Sequence, residues 1–296
     1  MFSTLVRTAV VAAVAVAGLS AGTAAADTAR HTLNVVALGD SYGSGTGAGD
    51  YLDGTGVANG CWRSANSYSE TLVARLRDAG ASVSFTNVTC SGASTATLRE
   101  EFKGEAPQLD ALQPDTHVVF LSIGTGDIDF AGYGAQCVLA DCSGQPTQDE
   151  LAKLPGMSQN LATLLADIRT RSPHAHVVLT GYGSQLTDGP NAPDVPLDPI
   201  CGDGIFTPQE RIDGNQVAAA LDQTLRGTAR QAGATFVTPY GTPEFAGHSL
   251  CQADVPYYRG FEALAPGQEG LEAVLHLNAT GQRTLADLIQ HRFHLS

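Results

Sequence analysis

The sequence predicts an α/β fold, a three-layer α/β/α sandwich around a central parallel sheet. Three observations carry this. Strand-like runs alternate with amphipathic helical stretches along most of the chain. Several of those runs, "LNVVALG" and "HVVFLSIG" among them, are mostly apolar, as strands covered on both faces are. No internal repeat and no long low-complexity linker divides the chain, so one domain is expected.

The elements follow in order. Residues 33–39 form the first expected strand. "SYSETLVARLRDAG" (67–80) has helical periodicity and closes on Gly80, a C-terminal cap. "SVSFTNV" (82–88) alternates like a half-buried strand, and residues 117–124 make a fully buried one. "MSQNLATLLADIRTRSP" (157–173) is an amphipathic helix stopped by Pro173. Residues 175–183 form the next strand. Residues 184–207, rich in Pro, Gly and Asp and holding Cys201, read as a surface loop pinned by a disulfide. A long helix spans 208–233, with an interruption expected near Gly214; a strand spans 234–240. The last helix covers 278–293, with Asn278 as its N-cap.

Residues 1–26 are set apart as a signal peptide. Arg7 precedes the apolar run "TAVVAAVAVAGL", and Ala24 and Ala26 form an Ala-x-Ala cleavage site. A membrane anchor is the alternative, but the run is short and ends in small residues. The expected product is residues 27–296, a secreted extracellular domain without a stable membrane span. Losing Arg7 leaves 15 Lys and Arg against 30 Asp and Glu, a formal charge of −15. That argues against nucleic acid and anionic membrane surfaces as partners.

All six cysteines, Cys61, Cys90, Cys137, Cys142, Cys201 and Cys251, lie in the mature part. An even number in a secreted chain favours disulfides. Sequential pairing is preferred among the open connectivities. Zinc is the alternative, disfavoured because no Cys-x-x-Cys occurs and the cysteines are scattered.

The chemistry is expected around "LGDSYGSG". Ser41 stands just past the first strand, at the carboxyl edge where open parallel sheets place ligands. Gly39 and Gly43 allow a sharp turn there, and backbone N–H groups in such a turn can face an anion. A bland turn is one alternative. A phosphate loop is another, weakened because no Gly-Lys-Ser/Thr follows. A serine nucleophile needs a base. Of eight histidines, His31 is near the mature terminus, His117, His174 and His176 begin strands, and His291 and His294 follow the last helix. His248 lies in a loop near Cys251. His276, in "EAVLHLNATGQ", directly precedes the last helix and is best placed at the catalytic edge.

Six ordered blocks, "ALGDSYGSGTGAGDY", "CWRSANSYSETLV", "TCSGAST", "LSIGTGDIDF", "GHSLC" and "LHLNATGQ", resemble the SGNH (GDSL) hydrolases. The likeness is to the secreted actinobacterial lipase/esterase branch and covers nearly the whole mature chain. It implies the flavodoxin-like SGNH hydrolase fold, Ser41 as nucleophile, His276 as base, and N–H groups of Ser41 and Gly92 as the oxyanion hole. It also implies the disulfides Cys61–Cys90, Cys137–Cys142 and Cys201–Cys251, with no metal and no cofactor.

Two departures stand out. The family's Gly-Gly-Asn-Asp is Gly124-Thr125-Gly126-Asp127 here, so the oxyanion asparagine is replaced by Gly126. Losing one such donor costs roughly 10²–10³ in kcat. The resemblance therefore predicts a slow enzyme that Gly126→Asn should speed up, unless Gly126 has a positive φ; the Thr125 hydroxyl is the substitute donor to consider. The aspartate often found three residues before the histidine is Ala273. A backbone carbonyl, as in some secreted actinobacterial members, or Glu272 is left to orient the imidazole. Asp40 and Asp127 read as structural. Trp62 and Arg63 either line the mouth or lie on the surface. The function expected is hydrolysis of small-molecule or lipid carboxylic esters by a monomer, through an acyl-enzyme. The alternative is a catalytically weakened SGNH-fold protein that binds an acyl or glycan ligand.

Overall fold

The computed structural model describes residues 32–187, 199–201, 205–252 and 255–293. The expected signal peptide, His31, His294, and residues 188–198 and 202–204 of the expected loop lie outside the described residues.

Five strands form one sheet: β1 (Leu33–Gly39), β2 (Val83–Asn87), β3 (Val118–Ser122), β4 (His176–Thr180) and β5 (Thr235–Val237). Their order is β2-β1-β3-β4-β5 and every neighbouring pair is parallel. The central strands are apolar because both of their faces are covered; Leu38, Leu121 and Leu179 are fully buried. β2, at the edge, keeps the alternation seen in its sequence.

From β1 the chain steps outward to β2, then returns across β1 to β3. Right-handed crossovers in opposite directions place helices on opposite faces. The helices pair accordingly: α2 (Tyr68–Asp78) packs with α6 (Ala279–Phe293), and α4 (Gln145–Arg171) with α5 (Pro208–Ala232). The reversal opens a crevice beyond the carboxyl ends of β1 and β3. The short helix α1 (Ser41–Ser44) and residues Thr125–Asp127 follow those two ends.

The helix starts have local causes. Ser67 caps α2 by accepting from the Glu70 N–H at 3.3 Å. Thr207 and Glu210 form a reciprocal capping box at α5, with Pro208 in the first turn. The Asn278 side chain accepts from the Gly281 N–H at 2.9 Å and caps α6.

Three features differ from the sequence reading. α4 begins at Gln145 rather than 157 and runs through Pro155. An interior proline costs about 3 kcal/mol. Here buried Leu154, Met157, Leu161, Leu165 and Ile168 stand at helical spacing and hold the helix across it. α5 is likewise continuous through Gly214. Finally, α3 (Phe130–Leu139) was not anticipated, because Gly132 and Gly134 obscure its periodicity.

The cysteines bond sequentially: Cys61–Cys90, Cys137–Cys142 and Cys201–Cys251. The second joins the end of α3 to the segment entering α4. The third holds residues 199–201 near Leu186, whose carbonyl accepts from the Cys251 N–H at 3.0 Å.

Candidate active site

β1 ends where only glycine fits. Gly39 has φ +132, and a Cβ on it would stand 2.0 Å from the Ser122 carbonyl oxygen of β3. The Gln108 amide brackets it, accepting from the Gly39 N–H at 2.7 Å and donating to its carbonyl at 3.0 Å.

The next residue organises the turn. Asp40 is the N-cap of α1, and its Oδ1 accepts from the Tyr42 N–H at 3.1 Å and the Ser122 hydroxyl at 2.9 Å. Its Oδ2 accepts from the Tyr182 hydroxyl at 2.5 Å and the Thr125 hydroxyl at 3.2 Å. Full burial nevertheless pushes the Asp40 pKa up to about 6 against these bonds. Ser41 therefore starts α1 on a carboxylate tied to the ends of β3 and β4.

His276 Nε2 lies 2.7 Å from Ser41 Oγ, and its Nδ1 lies 3.1 Å from the Val274 carbonyl oxygen. A carbonyl can only accept, so Nδ1 carries the proton and Nε2 presents its lone pair to the serine hydroxyl. Burial of the imidazole holds its pKa down at about 4, opposed by hydrogen bonding to the Val274 and Ala273 backbone. The Glu272 carboxylate accepts from the Trp62 indole N–H, so of the two orienters considered, the backbone carbonyl holds the ring.

Turning the imidazole back onto a carbonyl two residues earlier needs a kink, and Leu275 supplies it at φ +63. A left-handed leucine costs roughly 1–2 kcal/mol. Its N–H donates to the Arg259 carbonyl at 2.8 Å, and the Arg259 N–H donates to the His276 carbonyl at 2.8 Å. Its own carbonyl accepts from the Tyr42 hydroxyl at 2.5 Å. The Gln185 amide donates to that same hydroxyl at 3.2 Å. Nothing in the sequence marks Leu275 as left-handed or assigns Tyr42 to it.

A cavity of about 560 Å³ contains Ser41 and His276 in its wall. Its remaining wall is largely apolar, with Phe130, Tyr133 and Val138 from α3, together with Leu186, Ile200 and Phe206. Gly214 of α5 also faces it, and a Cβ there would meet only Leu186 Cδ1, at 3.7 Å. A missing side chain at this point widens the cavity.

Gly92 lines the opposite wall, beside the Cys61–Cys90 bond; the Ser91 N–H donates to the Cys61 carbonyl at 3.0 Å. Among the described residues, the N–H groups of Ser41 and Gly92 have no protein acceptor. Gly126 does not have a positive φ. What excludes a side chain there is the Ala93 carbonyl oxygen, 2.6 Å from where a Cβ would stand. Asp127 holds the two segments together, accepting from the Thr95 N–H at 2.9 Å and also from the Thr95 hydroxyl.

Trp62 and Arg63 neither line the mouth nor lie on the surface. Trp62 is buried against Tyr51 and Glu272, and Arg63 is buried in an ion pair with Glu105 at 2.7 Å. Lys103 and Glu272 are among the polar residues that line the cavity. Of the described histidines, only His276 meets Ser41; the His117 ring accepts from the Asn34 N–H, His176 packs on Phe293, and His248 stacks on Tyr257.

Residues 37–284 match the model of the GDSL-like Lipase/Acylhydrolase family. "Lipase 2" of Streptomyces coelicolor is 33% identical over 95% of this chain and 94% of its own length. "Lipase" of Streptomyces rimosus is 31% identical over 73% and 72%. Among solved structures, the extracellular lipase of Streptomyces rimosus superposes with a TM-score of 0.67 at 26% identity, covering 88% of this chain and 99% of that one. Phospholipase A1 of Streptomyces albidoflavus NA297 gives 0.66 at 25%, covering 87% and 98%. With an α/β sheet of this order, a serine and histidine meeting at its carboxyl edge, and a match over most of its length, the chain belongs to the GDSL-like lipase/acylhydrolase family.

Proposed function

We propose that the protein is a secreted serine esterase/lipase that hydrolyses carboxylic esters through an acyl-enzyme. The observation that carries this is the pair of contacts at His276: Nε2 at 2.7 Å from Ser41 Oγ and Nδ1 on the Val274 carbonyl. That arrangement gives the serine a neutral base already in the correct tautomer. Ser41 Oγ attacks the ester carbonyl while His276 Nε2 takes its proton. The tetrahedral oxyanion rests on the N–H groups of Ser41 and Gly92, which no protein acceptor occupies. His276 returns the proton to the departing alkoxide and the alcohol leaves. Water, deprotonated by the same nitrogen, then attacks the acyl-enzyme and frees the acid.

The apolar wall formed by α3, Leu186, Ile200 and Phe206 suits an acyl chain. The names of the relatives, lipase and phospholipase A1, point to lipid esters as the substrate class. We assign residues 27–296 to one secreted, monomeric domain, on the signal-peptide pattern of 1–26 and the three disulfides. The pairing of serine with base favours turnover over a ligand-binding role.

A fluorophosphonate probe should label Ser41, and hydrolysis of p-nitrophenyl esters of varied chain length should accompany labelling. Ser41→Ala should abolish both, and His276→Ala should slow labelling strongly. Robust turnover by Ser41→Ala refutes the mechanism.

A further inference from the structure

We propose that Tyr42 is a positioning residue: its hydroxyl holds the left-handed Leu275 kink that keeps His276 oriented between Ser41 and the Val274 carbonyl. The proposal rests on the Ser41–His276 reading above.

Ser41 and His276 are 235 positions apart, so something must fix their registry. Tyr42 is covalently next to Ser41 and hydrogen-bonds to the residue covalently next to His276, at 2.5 Å. Nucleophile and base are thus closed into a small ring: Ser41, Tyr42, its hydroxyl, the Leu275 carbonyl, His276 and back to Ser41. The Tyr42 ring also packs on the imidazole, with centroids 4.9 Å apart, and on Tyr182 at 4.8 Å.

The kink is where this ring bears on chemistry. Leu275 lies between Val274, whose carbonyl accepts from Nδ1, and His276 itself. If Leu275 relaxes to a negative φ, the Val274 carbonyl turns relative to the imidazole. The Nδ1 bond then breaks or the ring swings off Ser41. A strained dihedral persists only where its surroundings over-determine it. One of the bonds doing so comes from the Arg259 backbone, and the other from Tyr42. Only the second ties the kink to the nucleophile. Removing the hydroxyl would also leave the Leu275 carbonyl without that donor and deprive the Gln185 amide of its acceptor.

Tyr42→Phe keeps the ring and deletes the bond. It should lower kcat about tenfold, equivalent to about 1.4 kcal/mol in the barrier, with KM within twofold, and fluorophosphonate labelling should slow in parallel. Leu275→Asn should rescue it, since asparagine adopts the left-handed region more readily than leucine. Glycine is unsuitable because it also frees every other conformation. In the Leu275→Asn background, Tyr42→Phe should therefore cost less than threefold in kcat. This comparison also serves if Tyr42→Phe alone does not fold. Proton NMR of ¹⁵N-histidine-labelled protein supplies an activity-independent readout. The parent should show a downfield Nδ1 proton that is absent in His276→Gln, and Tyr42→Phe should shift it upfield or lose it to exchange.

The proposal is overturned if Tyr42→Phe retains kcat within twofold and leaves the Nδ1 proton unchanged. It is equally overturned if Tyr42→Phe costs as much kcat in the Leu275→Asn background as in the parent. Failure of the underlying reading looks different: Ser41→Ala would then keep its activity while the Nδ1 proton still responded to Tyr42→Phe.

Discussion

Substituting Gly126 tests how the oxyanion wall is built. Family pattern alone predicts that Gly126→Asn restores a donor and raises kcat. The structure predicts the opposite. A Cβ at 126 would lie 2.6 Å from the Ala93 carbonyl oxygen and 3.2 Å from its carbon. Ordinary contacts lie at 3.4 Å or more, at least about 0.8 Å beyond the approach to the oxygen, and overpacking of this sort costs about 1–3 kcal/mol. Ala93 cannot retreat alone. It directly follows Gly92, and Thr95 is held to Asp127 on the opposing segment. The shift should pass to the Gly92 N–H, and losing such a donor costs roughly 10²–10³ in kcat. A displaced donor loses part of that, so a fall on the order of tenfold is expected for Gly126→Asn. Gly126→Ala, which brings the Cβ without the amide, should fall similarly. By the usual conversion for a domain this size, both variants should melt roughly 2–10 °C lower. The assays are kcat on a soluble p-nitrophenyl ester and a thermal melt. A Gly126→Asn variant with parental melting and raised kcat refutes the steric reasoning.

His276 is held at a pKa of about 4, so kcat/KM should keep its plateau below pH 6 and fall only as pH drops through 4. The same shift means that the unfolded chain, with His near 6.5, binds the proton more readily; the stability from neutral His276 is present above 6.5 and lost as pH falls to 4. Asp40 acts the other way: with a folded pKa of about 6 against 3.8, its contribution is fullest below 3.8 and lost as pH rises through 6. The two slopes oppose each other between pH 4 and 6, so denaturant titrations should show the stability of Asp40→Asn climbing more steeply with pH than that of the parent; equal slopes in both would contradict the assignment. At the far wall, Gly214→Leu should gain up to about 1 kcal/mol of helix stability while shifting ester preference to shorter acyl chains. An unchanged chain-length profile would remove α5 from the acyl site.

The sheet was legible because β1, β3 and β4 are continuous apolar runs, a pattern that only doubly covered strands afford. Ser41 was legible from its place after β1, and His276 from its place before α6. The flanking structure was hidden for local reasons. Pro155 and Gly156 look like a helix end, yet the packing of Met157 and Leu161 overrides them. Gly132 and Gly134 disguise α3, which walls the cavity. Trp62 and Arg63 are buried because of Glu272 and Glu105, partners 210 and 42 positions away that no local pattern reveals. The steric block at Gly126 is of the same kind, since it depends on where the Ala93 carbonyl comes to rest.

The three disulfides all sit outside the sheet. One stands beside Gly92, one clips the end of α3, and one holds Ile200 near Leu186. Ser41 and His276 are placed by strands, hydrogen bonds and a helix cap; two of the staples hold the apolar wall of the cavity, and the other stands beside the proposed oxyanion donor Gly92. The chain between the first pair carries α2 and β2, and that between the third carries α5 and β5, so these two staples tie the cavity wall to the scaffold behind it. Loss of the Cys137–Cys142 or Cys201–Cys251 bond should blur the choice of ester before it stops hydrolysis, whereas loss of Cys61–Cys90 should slow hydrolysis itself.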